Sequence, residues 1–248
     1  ETFQYDANGN LIAETDAQGN SRTQSYDAYN RLTQVTDPLG NVTKHTYDRR
    51  DNLITTTDAN GNTTAYTYDI LDRLLLETDA LGDQVNFTYD AAGNLLTVTD
   101  GNGNVTNFTY DAVSRVVAET HADGAGKSYV YDSVGNRTAM TDPNGNLTAL
   151  TYDSLDRIVT KTYADGSTAT FTYDTLDRMV TGTNSDSSLA YSFDANDRVV
   201  QVVQNGKTID YSYDGVGNRI SMTTPEGEVV QYSYDATNRM TGVHLSND

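Results

Sequence analysis

The sequence predicts an all-β fold, built of tandem antiparallel β-hairpins joined into one long, twisted, spiralling sheet: a shell or hollow solenoid wall. Three observations predict it. A Tyr-Asp pair recurs every 20 or 21 residues along all 248 residues, and the other aromatics keep the same register. Every period carries two turn signals, and the segments between them hold about six strand-compatible residues. No stretch shows helical periodicity, whereas self-similarity at a fixed short period is the signature of a repeat architecture.

The first element of each repeat is a strand ending in the repeat aromatic. These aromatics are Tyr5, Tyr26, Tyr47, Tyr68, Tyr89, Tyr110, Tyr131, Tyr152 and Tyr173, each 21 residues apart, then Phe193, Tyr213 and Tyr234. A second aromatic often sits two residues earlier, as at Phe3, Tyr66, Phe87, Phe108, Tyr129, Phe171, Tyr191, Tyr211 and Tyr232. A spacing of two puts both rings on one face of a strand, and the Thr or Ser between them points the other way.

The next element is a turn opened by Asp, such as Asp6-Ala7-Asn8-Gly9 or Asp153-Ser154-Leu155-Asp156. Its fourth position is Gly, Asn or Asp everywhere except at Ser114, which are residue types that tolerate positive φ. A second strand follows, then a second turn such as Asp37-Pro38-Leu39-Gly40 or Asp142-Pro143-Asn144-Gly145. Its turn glycines are Gly40, Gly61, Gly82, Gly103, Gly145, Gly166, Gly206 and Gly227. Two strands per repeat give 23 or 24 strands in a single array over residues 1–248, about twelve repeats cut within a repeat at both ends.

Repeat length constrains the pairing. For a tyrosine to return to the same face after 21 residues, one turn needs an even loop and the other an odd one, unless a bulge stands in for either. In the 20-residue repeat that starts at Phe193 the second turn is Gln204-Asn205-Gly206-Lys207, and Asn-Gly is the strongest two-residue hairpin signal. The second turn of 21-residue repeats is therefore expected to hold three residues, and the first turn four. That arithmetic sets each tyrosine opposite the residue five positions later, which is Arg31, Arg73, Arg115, Arg157, Arg178, Arg198 or Arg239 in seven repeats and Asn in five. Tyr–Arg stacking of this kind is worth about 0.5–1 kcal/mol where exposed. The same register places Ile12, Ile54, Leu75, Leu96, Val117, Val159 and Val180 opposite the second aromatics, and Leu11, Leu32, Leu53, Leu74 and Leu95 on the other face.

Leu, Ile, Val and Phe make up under a fifth of the chain and the net charge is −19, a composition that taken alone reads as disorder. The strict register overturns that reading. With apolar groups on both faces, no helix to cover either, and twist accumulating over two dozen strands, the sheet is expected to wind so that one face lines an interior.

Composition excludes several functions. Four Lys in a chain this acidic make a poor nucleic-acid binder. The absence of Cys removes thiol catalysis, disulfides and Cys-ligated zinc. No apolar run reaches the roughly 18 residues of a membrane span. Asp58-Ala59-Asn60-Gly61-Asn62 and Asp100-Gly101-Asn102-Gly103-Asn104 superficially resemble calcium loops. The residue where a bidentate Glu belongs is instead the Asp of the next Tyr-Asp pair, Asp69 or Asp111. Equivalent carboxylates on neighbouring hairpins lie roughly 9.6 Å apart, too far to share an ion. Capping of the turn backbone explains these Asp residues. His45, His121 and His244 occupy unrelated slots, so no catalytic constellation, metal site or cofactor is expected.

The recurring YDxxGN or YDxxDR followed by an aliphatic, with a Gly turn ten residues on, resembles the YD-repeat (Rhs repeat) family over the whole chain. Its members include bacterial Rhs polymorphic toxins, wall-associated proteins, the C component of insecticidal toxin complexes, and teneurins. The resemblance implies a secreted or cell-surface, non-enzymatic shell segment that encloses or presents a C-terminal toxin or effector. Its partner is then the rest of the parent polypeptide, as cargo or plug. The plug motif and self-cleaving aspartate site of the toxin members have no counterpart here. Two alternatives remain: an adhesion surface whose aromatic rows stack on glycans, and end-to-end assembly into a fibre through open sheet edges.

Overall fold

The computed structural model describes residues 1–246, and the chain divides into two compact units, Glu1–Gly126 and Lys127–Asp248. Among the described residues all regular structure is β-strand. The first unit runs from β1 (Thr2–Tyr5), β2 (Leu11–Thr15), β3 (Ser21–Tyr26), β4 (Leu32–Thr36) and β5 (Val42–Tyr47) to β12 (Val116–Thr120). The second runs from β13 (Gly126–Tyr131) to β23 (Val229–Tyr234) and β24 (Met240–Leu245). Within each unit the strands pair antiparallel in chain order, every repeat giving two. The all-β hairpin architecture is the one the sequence predicts.

Both kinds of turn in 21-residue repeats have the same three-residue loop. At the first, Asp6 N–H donates to Asn10 O (2.9 Å) and Gly9 N–H to Asp6 O (3.1 Å). At the second, Asp16 N–H donates to Asn20 O (3.0 Å) and Gly19 N–H to Asp16 O (3.2 Å). The residue before each closing pair is left-handed: Gly9 at φ 86°, Asn30 at 62°, Asp51 at 70°, and even Ser114 at 63°. In most loops one carboxylate organises the turn, as Asp6 Oδ1 accepts from the N–H of Asn8 and of Asn10, both at 2.9 Å. The 20-residue repeats shorten only the second turn. Gln204 pairs with Lys207 around Asn205 (φ 52°) and Gly206 (φ 78°), the primed turn that Asn-Gly predicts.

This corrects the expected register. The first turn holds three residues, not four, and a β-bulge supplies the missing parity. Tyr5 pairs with Leu11, Gln4 with Ala13, and Ile12 is the extra residue between. The same step recurs at each tyrosine-bearing hairpin described, whereas hairpins closed by the second turn have none. Each tyrosine therefore faces the residue six positions on, not the Arg or Asn five on, which closes the turn instead. Leu11, Leu32, Leu53 and Leu74 stand directly across from tyrosines, on the tyrosine face and not the opposite one. Opposite the second aromatics stand Glu14, Glu77, Val98 and Glu119 in place of the aliphatics expected there, which are the bulged residues.

The face away from the tyrosines carries many hydroxyls, interspersed with residues such as Ala13, Leu76 and Ala139. Directly opposed pairs such as Thr88–Thr97, Thr172–Thr181 and Ser212–Ser221 hydrogen-bond at 2.6 Å. Neither unit has a conventional core: among the described residues only Leu150 and Ala169 are buried hydrophobics, at 7% and 8% exposure. The other wall side chains range from half-buried to exposed. No buried side-chain polar atom lacks a partner among the described residues.

Candidate functional site

The sequence-predicted aromatics all lie at the last residue of the first strand of a repeat, beside the Asp that opens the turn. Their phenols reach back across the ladder. Tyr26 Oη donates to the carbonyl of Leu11, Tyr47 to that of Leu32, Tyr68 to Leu53 and Tyr110 to Leu95, at 2.8–3.1 Å. In the second unit Tyr152, Tyr173, Tyr213 and Tyr234 do the same to Arg137, Ile158, Val199 and Arg219. Each acceptor opens a bulge in the preceding hairpin, where the regular ladder is interrupted.

Arginines of the turn-closing slot reach the opposite way. Arg31 Nε binds Asp27 of its own turn at 2.7 Å, while Nη1 donates to Asp48 O (2.7 Å) and Asp51 Oδ1 (2.8 Å) of the next repeat. Its guanidinium lies 4.9 Å from the ring centre of Tyr47. Arg157 repeats this with Asp153, Asp174 O, Asp177 and the Tyr173 ring (4.7 Å). Arg178 does so with Asp174, Asp197 and the Phe193 ring (4.5 Å). Where the left-handed residue of the next repeat is glycine, as at Gly93 and Gly217, Arg73 and Arg198 keep only the backbone bond and the ring, Tyr89 or Tyr213. Asn in the same slot spans a shorter reach, Asn10 to Asp6 and Asn30, and Asn52 to Asp48 and Asp72.

The expected cation–π pairing is thus present with a different partner, the aromatic of the following repeat. The stacking follows from the register across the second turn, which carries Arg31 opposite Tyr47 when β4–β5 pairing is extended by three residues. Sequence reasoning missed Asp51, Asp177 and Asp197 as inter-repeat acceptors. Their signal was the coincidence of Arg in one repeat with Asp in the positive-φ slot of the next.

The turn glycines Gly40, Gly61, Gly82, Gly103, Gly145, Gly166, Gly206 and Gly227 all have φ between 78° and 92°. Gly19 and Gly124 share that slot at 87° and 84° and belong with them. The turn carboxylates are spent locally. Asp58 gives Oδ1 to the N–H groups of Asn60 and Asn62, and Oδ2 to the Asn62 amide. The Asn62 side-chain bond chiefly holds the Asp58 carboxyl below the usual carboxylate range. Asp27 is lowered in the same way by the Arg31 guanidinium. Among the described residues no three His, Asp or Glu side chains gather as a metal would need. His45 faces Thr56, with Nδ1 3.2 Å from Oγ1, His121 opens a turn, and His244 lies in β24.

Known families match on both sides of the chain. Residues 98–246 match the family Teneurin YD-shell, and residues 5–43 and 47–84 match RHS Repeat. No curated protein matches. Among solved structures, a Tc holotoxin pore of Photorhabdus luminescens is similar at 16% identity with a TM-score of 0.47, covering 98% of this chain and 18% of that one. A TcdB2-TccC3 crystal structure is similar at 15% identity with a TM-score of 0.48, covering 99% and 22%. The chain therefore spans about a fifth of the length of the solved chains it matches.

Proposed function

The chain belongs to the teneurin YD-shell family, and on that premise we propose that it is a non-enzymatic wall segment of an exported or cell-surface polypeptide. Its role in that polypeptide is to enclose or present a C-terminal effector. The observation that carries this reading is the single-layer construction. Each unit is one sheet whose hairpins are clasped to each other and whose chemistry-bearing side chains are spent on those clasps. Most of the turn-closing Arg and turn-opening Asp side chains, and eight of the repeat tyrosines, are engaged in these clasps. What remains is an extended surface with one face of tyrosines and leucines interleaved with charged residues such as Glu14 and Glu77, and one face rich in hydroxyls, suited to separating two spaces. The adhesion or glycan-binding alternative needs open ring faces, and a guanidinium covers one at Tyr47, Tyr89, Tyr173 and Tyr213.

Limited proteolysis of the parent polypeptide tests the proposal. With the wall intact, the region beyond it should resist protease far longer than the same region expressed alone. Replacing Tyr47, Tyr68 and Tyr110 together by Ala should abolish that protection. Equal cleavage of the enclosed and the isolated region would overturn the reading.

A further inference from the structure

Because the repeats fill the same slots, residues required by the fold recur, and a departure from a slot marks a position set by something else. The two central residues of the first turn show such a departure. They are uncharged and non-aromatic in most repeats, as in Ala7-Asn8, Ile70-Leu71, Ala91-Ala92, Ser133-Val134 and Ala195-Asn196. Tyr29 is the one aromatic in these positions, and Arg49 and Arg50 are the only charged residues in them. The departures fall in consecutive repeats.

The fold brings them to one place. Tyr29, Arg31, Tyr47, Asp48, Arg49 and Asp51 line a cavity of about 510 Å³ at the first turns of these two repeats. Two of the lining groups take no part in the clasps. Tyr29 is 77% exposed, and Arg49 forms no hydrogen bond or ion pair among the described residues. The others fix the frame around them. The Arg31 guanidinium lies 5.2 Å from the ring centre of Tyr29 and 4.9 Å from that of Tyr47, so it steadies the Tyr29 ring on one side. Arg50 Nη1 donates to the Ile70 carbonyl at 2.7 Å and to Asp72 Oδ1 at 3.3 Å, which ties the loop carrying Arg49 to the following repeat. Asp48 Oδ1 accepts from the N–H of Arg50 and of Asn52, and holds the same loop from within.

We propose that this cavity binds a carboxylated sugar, a uronate or sialate unit, with its carboxylate on Arg49 and its ring against Tyr29. The planar guanidinium fork matches a carboxylate with two parallel, charge-assisted hydrogen bonds. The Tyr29 ring offers an apolar face to the C–H side of a pyranose and a hydroxyl at its tip. Asp48 and Asp51 also line the cavity, and carboxylates accept hydrogen bonds from sugar hydroxyls. The same two carboxylates disfavour a doubly charged phosphate, and a net charge of −19 repels polyanions, so a ligand with one negative charge and several hydroxyls fits best. The volume lies within the roughly 300–1,000 Å³ of small-molecule sites. Tyr29 stands outside the row of repeat aromatics, and Arg49 outside the turn-closing slot. Binding here is therefore additional to the wall role, and its loss leaves the clasps intact.

Amide NMR titration of the full chain tests this. One arm uses the methyl glycoside of N-acetylneuraminic acid, a second the methyl glycoside of glucuronic acid, and a third the neutral methyl glucoside. The amides of residues 27–31 and 48–52 should shift with an acidic glycoside and not with the neutral one, and the arm with the stronger response identifies the sugar. Half-saturation near about 1 mM is expected for so open a site. Arg49→Ala should weaken binding by about tenfold or more, the range of one charge-assisted hydrogen bond. Tyr29→Ala should weaken it by about three- to tenfold, the range of one ring contact. Both lie at exposed loop positions, so the rest of the amide spectrum should stay in place. Arg49→Lys keeps the charge without the fork and should restore only part of the affinity. Arg22→Ala, which removes an exposed arginine of β3 that does not line the cavity, should leave binding unchanged. No shift at either turn up to about 20 mM acidic glycoside, equal shifts with the neutral one, or an affinity that the Arg49 or Tyr29 alanine variant leaves unaltered would overturn the proposal.

Discussion

Tyr110 is half-buried, stands across from Val116, and donates its phenolic hydrogen to the Leu95 carbonyl at 2.8 Å. Tyr110→Phe removes only that bond and should cost about 0.5–1.5 kcal/mol. Tyr110→Ala also opens the wall and should cost about 2 kcal/mol, below the roughly 3–5 kcal/mol of a fully enclosed ring. Hydrogen exchange of the two hairpins joined by this tyrosine reads both. A loss under about 0.5 kcal/mol for the alanine variant would show a solvated row and return sugar stacking to consideration. The turn carboxylates make the second residue-scale prediction. Asp235 is held at about 2, chiefly by the Thr237 hydroxyl, while the Asn62 side chain lowers Asp58 and the Arg31 guanidinium lowers Asp27. A carboxyl lowered by folding contributes stability that is complete above its unfolded value of about 3.9 and lost as pH falls through the folded value. Urea unfolding midpoints should therefore hold from pH 7 to about pH 5 and fall steeply between about pH 4 and pH 2. An unchanged midpoint at pH 3 would contradict it. Residue types in these roles were legible because each recurs in register. Their partners were not, since Tyr47 and Leu32 are 15 residues apart and meet only through the pairing of two hairpins.

At the scale of the hairpin, the loops were easier to read than the ladders. Asn205-Gly206 specified a two-residue turn, and Pro38-Leu39-Gly40 a three-residue one, because each needs positive φ at a known position. The first turn was misread because Leu11 and Ile12 are both aliphatic, so an alternation of period two cannot tell which one is extra. Once the bulge is placed, the Asp–Asn closure of both turns becomes identical and the 21-residue period follows. Left-handed glycines give the test of this scale. At Gly61 (φ 86°) an added Cβ would meet nothing within 4 Å, so Gly61→Ala should cost about 1–2 kcal/mol from backbone conformation alone. Gly215 is equally open but has no positive φ, so Gly215→Ala should be neutral or stabilising by up to about 1 kcal/mol. Thermal or urea unfolding of the two variants separates them. Equal effects would show that the positive φ at Gly61 does not decide the cost.

Across the whole molecule, stability is local. With Leu150 and Ala169 the only buried hydrophobics among the described residues, each hairpin depends on the one before and the one after. The single all-β wall of hairpins was legible in outline from about twelve repeats and no helical periodicity. The expectation of Leu11 and Leu32 on the second face was not met, because the bulge moves them to the tyrosine face. The direction of the clasps was not legible, because it depends on the bulge. That direction has a consequence for how such proteins change over time. Eight repeat tyrosines donate one repeat upstream to a backbone carbonyl, and Arg31, Arg73, Arg157, Arg178 and Arg198 donate one repeat downstream to another. Neither requires a particular neighbour beyond the shared pattern. Duplicating or deleting the stretch of gene that encodes one whole repeat therefore restores the same handshake on both sides of the scar. A one-codon insertion inside a strand, by contrast, turns an entire ribbon inside out. Lineages carrying this wall should accordingly differ freely in the number of ribbons and hardly at all in the length of each.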